Sequence, residues 1–438
     1  MNEILLIERV EEELNIPEVI NKVIKNLGGI ETVFKDFNKI IIKPNFVLSR
    51  SYKSGTTTNL KIIESVIDAV QKAGKEAIVM ESSGWGYSLH SNPIIIGFRK
   101  ILKDRGVKFI DPLSAEMEKI PVKNGFLHKT VKVPRILKEC GIINLPKIKM
   151  HELTQITGAM KNLYGILDKT DRFLGHTKGL HESIADLNSV VKPQMHIADG
   201  IWIMEGNGPA LGKPVKANLI FASNDPVYLD YAISKFLSTD PHSVKHLALA
   251  LNGRNFNLPQ NMPTPLNLQK PNRSRLYLSI VNFAFWLNRH FSYPLLKADI
   301  LPLRDRILRQ HPNTCACELD PKDCKNCGSF CVFDNFDKEK GKVKDYSLCK
   351  ACHWCTVAET CSKNKVKEKL VFYPRGVVEF FGSLFRRFPK FNKITNPAGA
   401  DFCPTDAVTV SNNVAVLNKS KCLKCDICSA AKKMELPK

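Results

Sequence analysis

Cys349, Cys352 and Cys355 stand with two residues between neighbours, and Cys422, Cys425 and Cys428 repeat that spacing near the end of a 438-residue chain. Two-residue spacing lets three thiolates on one tight loop reach three irons of a cubane, with a distant Cys supplying the fourth ligand. The spacing therefore predicts two [4Fe-4S] clusters and single-electron chemistry. Zinc also uses Cys pairs spaced by two, but a tetrahedral site wants two plus two ligands, and each run offers three. Disulfides fit less well. Met1-Asn2-Glu3 and the short apolar run Ile4-Leu5-Leu6-Ile7 do not resemble a secretory signal, and thirteen of the fourteen cysteines fall beyond residue 310. A local module in a reducing compartment is expected.

The segment Cys403-Pro404-Thr405-Asp406-Ala407-Val408 resembles the one that follows the first run in bacterial two-cluster ferredoxins. There the Cys of the Cys-Pro pair ligates the cluster built on the other run, so the resemblance implies that Cys403 joins Cys422, Cys425 and Cys428. The second run has no Cys-Pro after it, a departure from the ferredoxin pattern. Cys361 is the nearest candidate for the fourth ligand of the Cys349 cluster. A further group, Cys315, Cys317, Cys324, Cys327 and Cys331, fits no template; a third cluster, a zinc ion and spare thiols all stay open for it. Cys140, in an apolar stretch, reads as a small buried hydrophobe.

Polar residues that could hold a substrate lie in the first half. Lys43-Pro44-Asn45 follows a predicted strand, where parallel sheets present ligand-binding groups. Ser54-Gly55-Thr56-Thr57-Thr58 reads either as an anion-binding loop or as a surface loop. Lys147, Lys149 and His151 alternate and would share one face of an extended strand; Lys161, Asn162 and His176 follow within 25 residues. One reading gathers Lys43, Asn45, Lys149, His151, Lys161, Asn162, His176 and Asp199 in one cleft. The lysines would hold an anionic small molecule, with His151 or His176 as acid, base or metal ligand. The other reading is a solvated lysine face with unrelated histidines. Asp225-Pro226 reads as a helix cap, and Glu205 to Pro209 as a flexible loop. Neither a P-loop nor a dinucleotide fingerprint is present, so nucleotide binding is unsupported.

The elements that must position these groups alternate between β-branched runs and amphipathic stretches from residue 1 to about 255. Strands are predicted at Ile4–Val10, Ile40–Lys43, Ala77–Glu81, Val107–Ile110, Gly141–Leu145, His196–Trp202 and Leu219–Ala222. Helical spacing is read across Leu60 to Val70 and Leu229 to Phe236. The expected fold is α/β: a layered, largely parallel sheet domain over 1–255, then a linker and basic aromatic segment over 256–312. A ferredoxin-like α+β iron-sulfur domain over 313–438 would follow, with a basic amphipathic insert at 362–400.

Ile41-Ile42-Lys43-Pro44-Asn45, Asn144 to His151, Thr157 to Gly165, Ala198-Asp199-Gly200 and Ala222 to Val227 resemble the uncharacterised Fe-S center proteins, domain of unknown function 362. The resemblance spans roughly residues 38 to 250. It implies an α/β domain followed by a ferredoxin-like domain, and brings no settled reaction.

The net charge of +21 asks for an acidic partner. No recognition helix or single-strand-binding motif accompanies it, so nucleic acid is not expected. Aromatic stretches at Leu276–Phe291 and Val377–Phe388 read as interdomain packing or as basic faces on an anionic membrane surface. Between Cys361 and Asn396, nine Lys or Arg face two acids. The functional expectation is an iron-sulfur oxidoreductase that relays electrons between a redox partner protein and a bound substrate. The alternative is a non-catalytic electron-transfer or docking protein. Its expected location is the cytoplasm, with the inner membrane face as a peripheral site.

Overall fold

The computed structural model describes residues 3–47, 52–82, 98, 101–209 and 211–272, and beyond them residues 283 and 287 and the backbone of several strands. The chain divides into two compact units, one of residues 1–47, 52–82 and 105–290, the other of 48–51, 83–104 and 291–438.

In the first unit, the strands are β1 (Leu5–Arg9), β2 (Lys39–Lys43), β3 (Glu76–Met80), β4 (Lys108–Ile110), β5 (Met117–Pro121), β6 (Thr130–Pro134), β7 (Cys140–Asn144), β8 (Lys147–His151), β9 (Gln155–Thr157), β10 (Met195–Asn207) and β11 (Leu211–Ser223). The main sheet runs β1-β11-β10-β7-β2-β3-β4, with β8 paired to β10 and β9 to β8. The β10–β7, β10–β8, β7–β2, β2–β3 and β3–β4 pairs are parallel; β1–β11, β10–β11 and β8–β9 are antiparallel. A largely parallel sheet was expected from the β-branched runs, and seven predicted strands fall on β1, β2, β3, β4, β7, β10 and β11. Glu205 to Asn207 continue β10 rather than forming the expected loop, because β10 and β11 extend as one long hairpin out to Asn207 and Leu211.

Helices cover both faces. In α1 (Ile16–Asn26), Ile16, Ile20, Val23 and Ile24 are buried; α2 (Ile30–Val33) is a single turn. The Asn59 side chain caps α3 (Leu60–Lys72), which buries Ile62, Ile63, Val66, Ile67 and Val70. These two longer helices pack on each other, and α3 lies on β2 and β3. On the opposite side of the pleat, Ile41, Ile78, Met80 and Ile142 join a core with Ile184, Leu187, Ile233 and Phe236. That core is closed by α4 (Ala159–Asn162), α5 (Lys169–Lys178), α6 (Leu180–Val190), α7 (Pro226–Phe236) and α8 (Lys245–Leu251). Asp225 caps α7 as expected, accepting from the Val227 and Tyr228 amides at 2.7 and 2.8 Å. Cys140 is buried in β7, and burial pushes its thiol up to about 11, which leaves it an inert apolar side chain.

In the second unit, Leu308–Cys315 pairs antiparallel with Val366–Phe372 and with Lys342–Val343, which also pairs with Phe336–Asp337. Val408–Ser411 and Val414–Leu417 form a separate antiparallel pair. Cys317, Cys324, Cys327, Cys331, Cys349, Cys352, Cys355, Cys361, Cys403, Cys422, Cys425 and Cys428 lie outside the described residues. So do the aromatic stretches, apart from Phe283 and Leu287. Among the described residues no helix is long and apolar enough to cross a membrane.

Candidate functional site

The chain leaves β2 for β3 on one side, and later returns to lay β7 on the other. Such a reversal opens a crevice beyond the carboxyl ends of the strands. Lys43 and Asn144, the last residues of β2 and β7, are register partners across it, and Glu81 follows the last residue of β3. The sheet thus brings these polar side chains to one edge.

Asn45 is the hub. Its side-chain amide donates to Asn162 Oδ1 at 2.8 Å, and its Oδ1 accepts from Lys149 Nζ at 2.6 Å. Asn162 Nδ2 in turn donates to Asn144 Oδ1 at 2.7 Å and to the Lys43 carbonyl at 3.1 Å. The Lys43 ammonium donates to the Pro44 carbonyl and pairs with Glu81 at 2.9 Å, with both side chains almost fully buried. Burial lowers the Lys43 pKa, and Glu81 opposes that fall.

The alternative reading of a solvated lysine face on β8 is not what the structure has. Lys147 and Lys149 are fully buried, because β8 lies between β10 and β9. Lys147 pairs with Asp199 at 2.7 Å, and Asp199 also accepts from the Asn59 and Ile201 amides. Lys149 meets no carboxylate; its ammonium rests on Asn45 Oδ1 and on the Thr56 carbonyl at 2.9 Å. Burial, and then the charges of Lys161 and Lys147, hold its pKa well below the ordinary lysine value.

The segment Tyr52 to Asn59 is buried rather than a surface loop. Gly55 takes φ +75°, and a Cβ there would sit 2.6 Å from the Ile203 carbonyl, so the loop lies hard against β10. Thr58 fixes its far end, accepting from the Asn45 amide and donating to the Leu145 carbonyl.

Lys161, His151 and His176 form the second part of the site. Lys161 is partly exposed and, among the described residues, makes no ion pair or hydrogen bond through its amine; burial lowers its pKa to about 8. Its carrier, α4, is anchored from below by Asp230, whose carboxylate accepts from the Ala159 and Met160 amides at 2.5 and 3.0 Å. Burial raises Asp230 to about 7.

His151 Nδ1 accepts from the Leu153 amide at 3.1 Å, which leaves Nε2 to carry the proton. Burial, then the charges of Lys161 and Lys149, hold the imidazole well below its usual pKa. His176 donates from Nδ1 to the Arg172 carbonyl at 2.9 Å, and burial lowers it to about 3. Both rings are therefore neutral near pH 7, and each can serve there as a hydrogen-bonding group.

The structure thus joins Lys43, Asn45, Lys149 and Asn162 in one hydrogen-bonded network, and the charge of Lys161 acts on Lys149, His151 and His176. Asp199 belongs instead to the buried base of the site. Sequence reasoning missed Glu81, Asn144 and Asp230 as its supports, and Lys147 as the partner of Asp199. Glu81 and Asn144 lie at strand ends like Lys43, and the same rule would have found them. Among the described residues no three His, Cys, Asp or Glu side chains are grouped to hold a metal ion.

The first unit is thus a largely parallel α/β domain with a polar network at its switch point. Residues 40–235 match the family described as Domain of unknown function (DUF362), a span that contains all eight residues expected in the cleft. The chain is also 25% identical over 239 residues to a thylakoid-associated protein of Synechocystis sp. (strain ATCC 27184 / PCC 6803 / Kazusa), a match covering 52% of this chain and 72% of that protein.

Proposed function

We propose that this protein is an iron-sulfur redox protein whose α/β domain binds a small anionic molecule at the switch point of its sheet. The observation that carries the reading is the pair of C-x2-C-x2-C runs, which offer three thiolates each where zinc would want two plus two. When bound, two [4Fe-4S] clusters would supply one-electron transfer. Cys349, Cys352, Cys355 and Cys361 would hold one, and Cys403, Cys422, Cys425 and Cys428 the other. Asn45 positions Lys149, a cation at the substrate edge, and Asn162 holds the Lys43 backbone beside it. His151 and His176 offer neutral imidazoles. A redox partner protein would exchange the electrons.

Anaerobic purification with iron and sulfide analysis and electron paramagnetic resonance tests this. About eight irons per chain are expected, or about twelve if the Cys315 to Cys331 group holds a third cluster. One zinc and no iron would end the electron-transfer reading. Cys403→Ser should damage the cluster on Cys422, Cys425 and Cys428, and loss of the other cluster alone would show the wiring to be wrong.

A second reading, peripheral docking at an anionic membrane surface, draws on the basic stretch after Cys361 and on the thylakoid association of the Synechocystis relative. Flotation with anionic liposomes checks it. Binding should be strongest at low salt, and its absence there would remove this reading.

A further inference from the structure

Four groups around the carboxyl edge have unspent hydrogen-bonding capacity, and every one can donate. Lys161 has no partner for its amine among the described residues. Lys149 uses two of three ammonium protons, both on neutral oxygens. His151 keeps its proton on Nε2, because backbone amides occupy Nδ1. Thr157, the cross-strand neighbour of Lys149, is buried with its hydroxyl unpartnered among the described residues.

The charges point the same way. Lys43 and Lys147 each have a carboxylate within 2.9 Å, whereas Lys149 and Lys161 have none and repel each other. Lys161 is also the largest electrostatic influence on His151 after burial itself. Buried charges are ordinarily paired, and buried donors ordinarily satisfied. What would complete this group is an acceptor-rich anion.

We propose that Lys161, Lys149, His151 Nε2–H and Thr157 form an oxyanion site that takes a carboxylate or phosphate group of a small molecule. Lys161 is the principal charge, and His151 is a fixed neutral donor. The inference deepens the anionic-substrate reading above and rests on it, but not on the presence of clusters. A neutral imidazole beside two ammonium groups donates without adding a third repelling charge. The three buried donors then set the orientation of the group that Lys161 attracts.

Brief reductive methylation of the full-length, anaerobically purified chain, followed by peptide mass spectrometry, reads Lys161 directly. Lys72, exposed at the end of α3, serves as internal control. Inorganic phosphate and acetate are the two probes. Either should slow Lys161 labelling at least tenfold while leaving Lys72 unchanged, and the more effective one names the source of the oxyanion. No protection by either, or equal protection of Lys72, overturns the site. His151→Gln, which keeps a donor, should retain protection that His151→Leu loses, and equal loss in both would refute the donor role. Iron is measured on the same samples. A chain without iron whose Lys161 is protected fails the redox reading alone; a full complement of iron without protection fails the oxyanion site alone.

Discussion

Replacing Asp199 by Asn keeps the side chain's shape and removes the charge opposite Lys147. Both partners are fully buried and 2.7 Å apart, so the variant leaves an ammonium without a counter-charge. Breaking a buried pair in this way costs about 3–5 kcal/mol. Deprotonation of Lys147 sets a ceiling on that cost. For a lysine with an ordinary value near 10.5, losing its proton costs about 5 kcal/mol at pH 7 and about 2 kcal/mol at pH 9, at 1.36 kcal/mol per pH unit. The sign follows from linkage: the native pKa of Lys147 lies below the unfolded one, so the unfolded chain binds more protons and stability rises with pH up to the unfolded value. Asp199→Asn should therefore be severely destabilised at pH 7 and partly rescued at pH 9. Hydrogen exchange of peptides covering β8 and β10, normalised to wild type at each pH, resolves this within a two-unit chain. A loss of 3 kcal/mol appears as roughly 150-fold faster exchange. Lys147→Met/Asp199→Asn, which removes the ammonium and keeps a side-chain acceptor for the backbone amides, should recover most of the loss and show no pH dependence. A penalty under about 1 kcal/mol, or one equal at both pH values, would refute the buried pair. Stability unchanged with ligand binding abolished would return Asp199 to the substrate edge.

Asp230→Asn should lose one of two bonds to the α4 amides, costing about 1 kcal/mol. Because burial raises the native Asp230 pKa to about 7, the native state retains a proton that the unfolded chain sheds. Wild-type protection of Ala159 to Asn162 should thus weaken as pH rises from 5 to 7.5, and the variant should lack that slope. Gly55→Ala, at φ +75° and against the Ile203 carbonyl, should destabilise by about 1–3 kcal/mol, seen as faster exchange in the Tyr52 to Asn59 segment.

The sheet was legible where strands are buried on both faces, since runs such as Ile40-Ile41-Ile42 have few other uses in an α/β chain. The β5–β6 hairpin was not, because Met117-Glu-Lys-Ile-Pro121 reads as polar and only one strand of the pair buries apolar side chains on both sides of Lys132. In β8, Lys147 and Lys149 carry the alternation of a surface strand. Their burial depends on Asp199, Asn45 and Thr56, residues 52, 104 and 93 positions away, which no local pattern reports. Asp230 left a local trace: it is an acid one residue from Leu229 on a helix that also buries Ala232, Ile233 and Phe236. Such a position is occupied by a carboxylate when backbone amides elsewhere need an acceptor.

The buried lysines differ in how their charge is met, and the difference separates scaffold from site. Lys147 and Lys43 each have a carboxylate partner, which makes their environment locally neutral and fixes β8 and β2. Lys149 has only neutral oxygens, and Lys161 has no partner among the described residues. A fold selected for stability alone would gain from an acid beside those two cations, because Lys149 leaves a buried charge uncompensated and Lys161 a partly buried one. A fixed carboxylate there would also compete with any anionic ligand for the same donors. The arrangement therefore neutralises Lys147 and Lys43 and leaves Lys149 and Lys161, at the carboxyl edge, unneutralised. Binding of an anion there would both satisfy the donors and relieve the repulsion between Lys149 and Lys161.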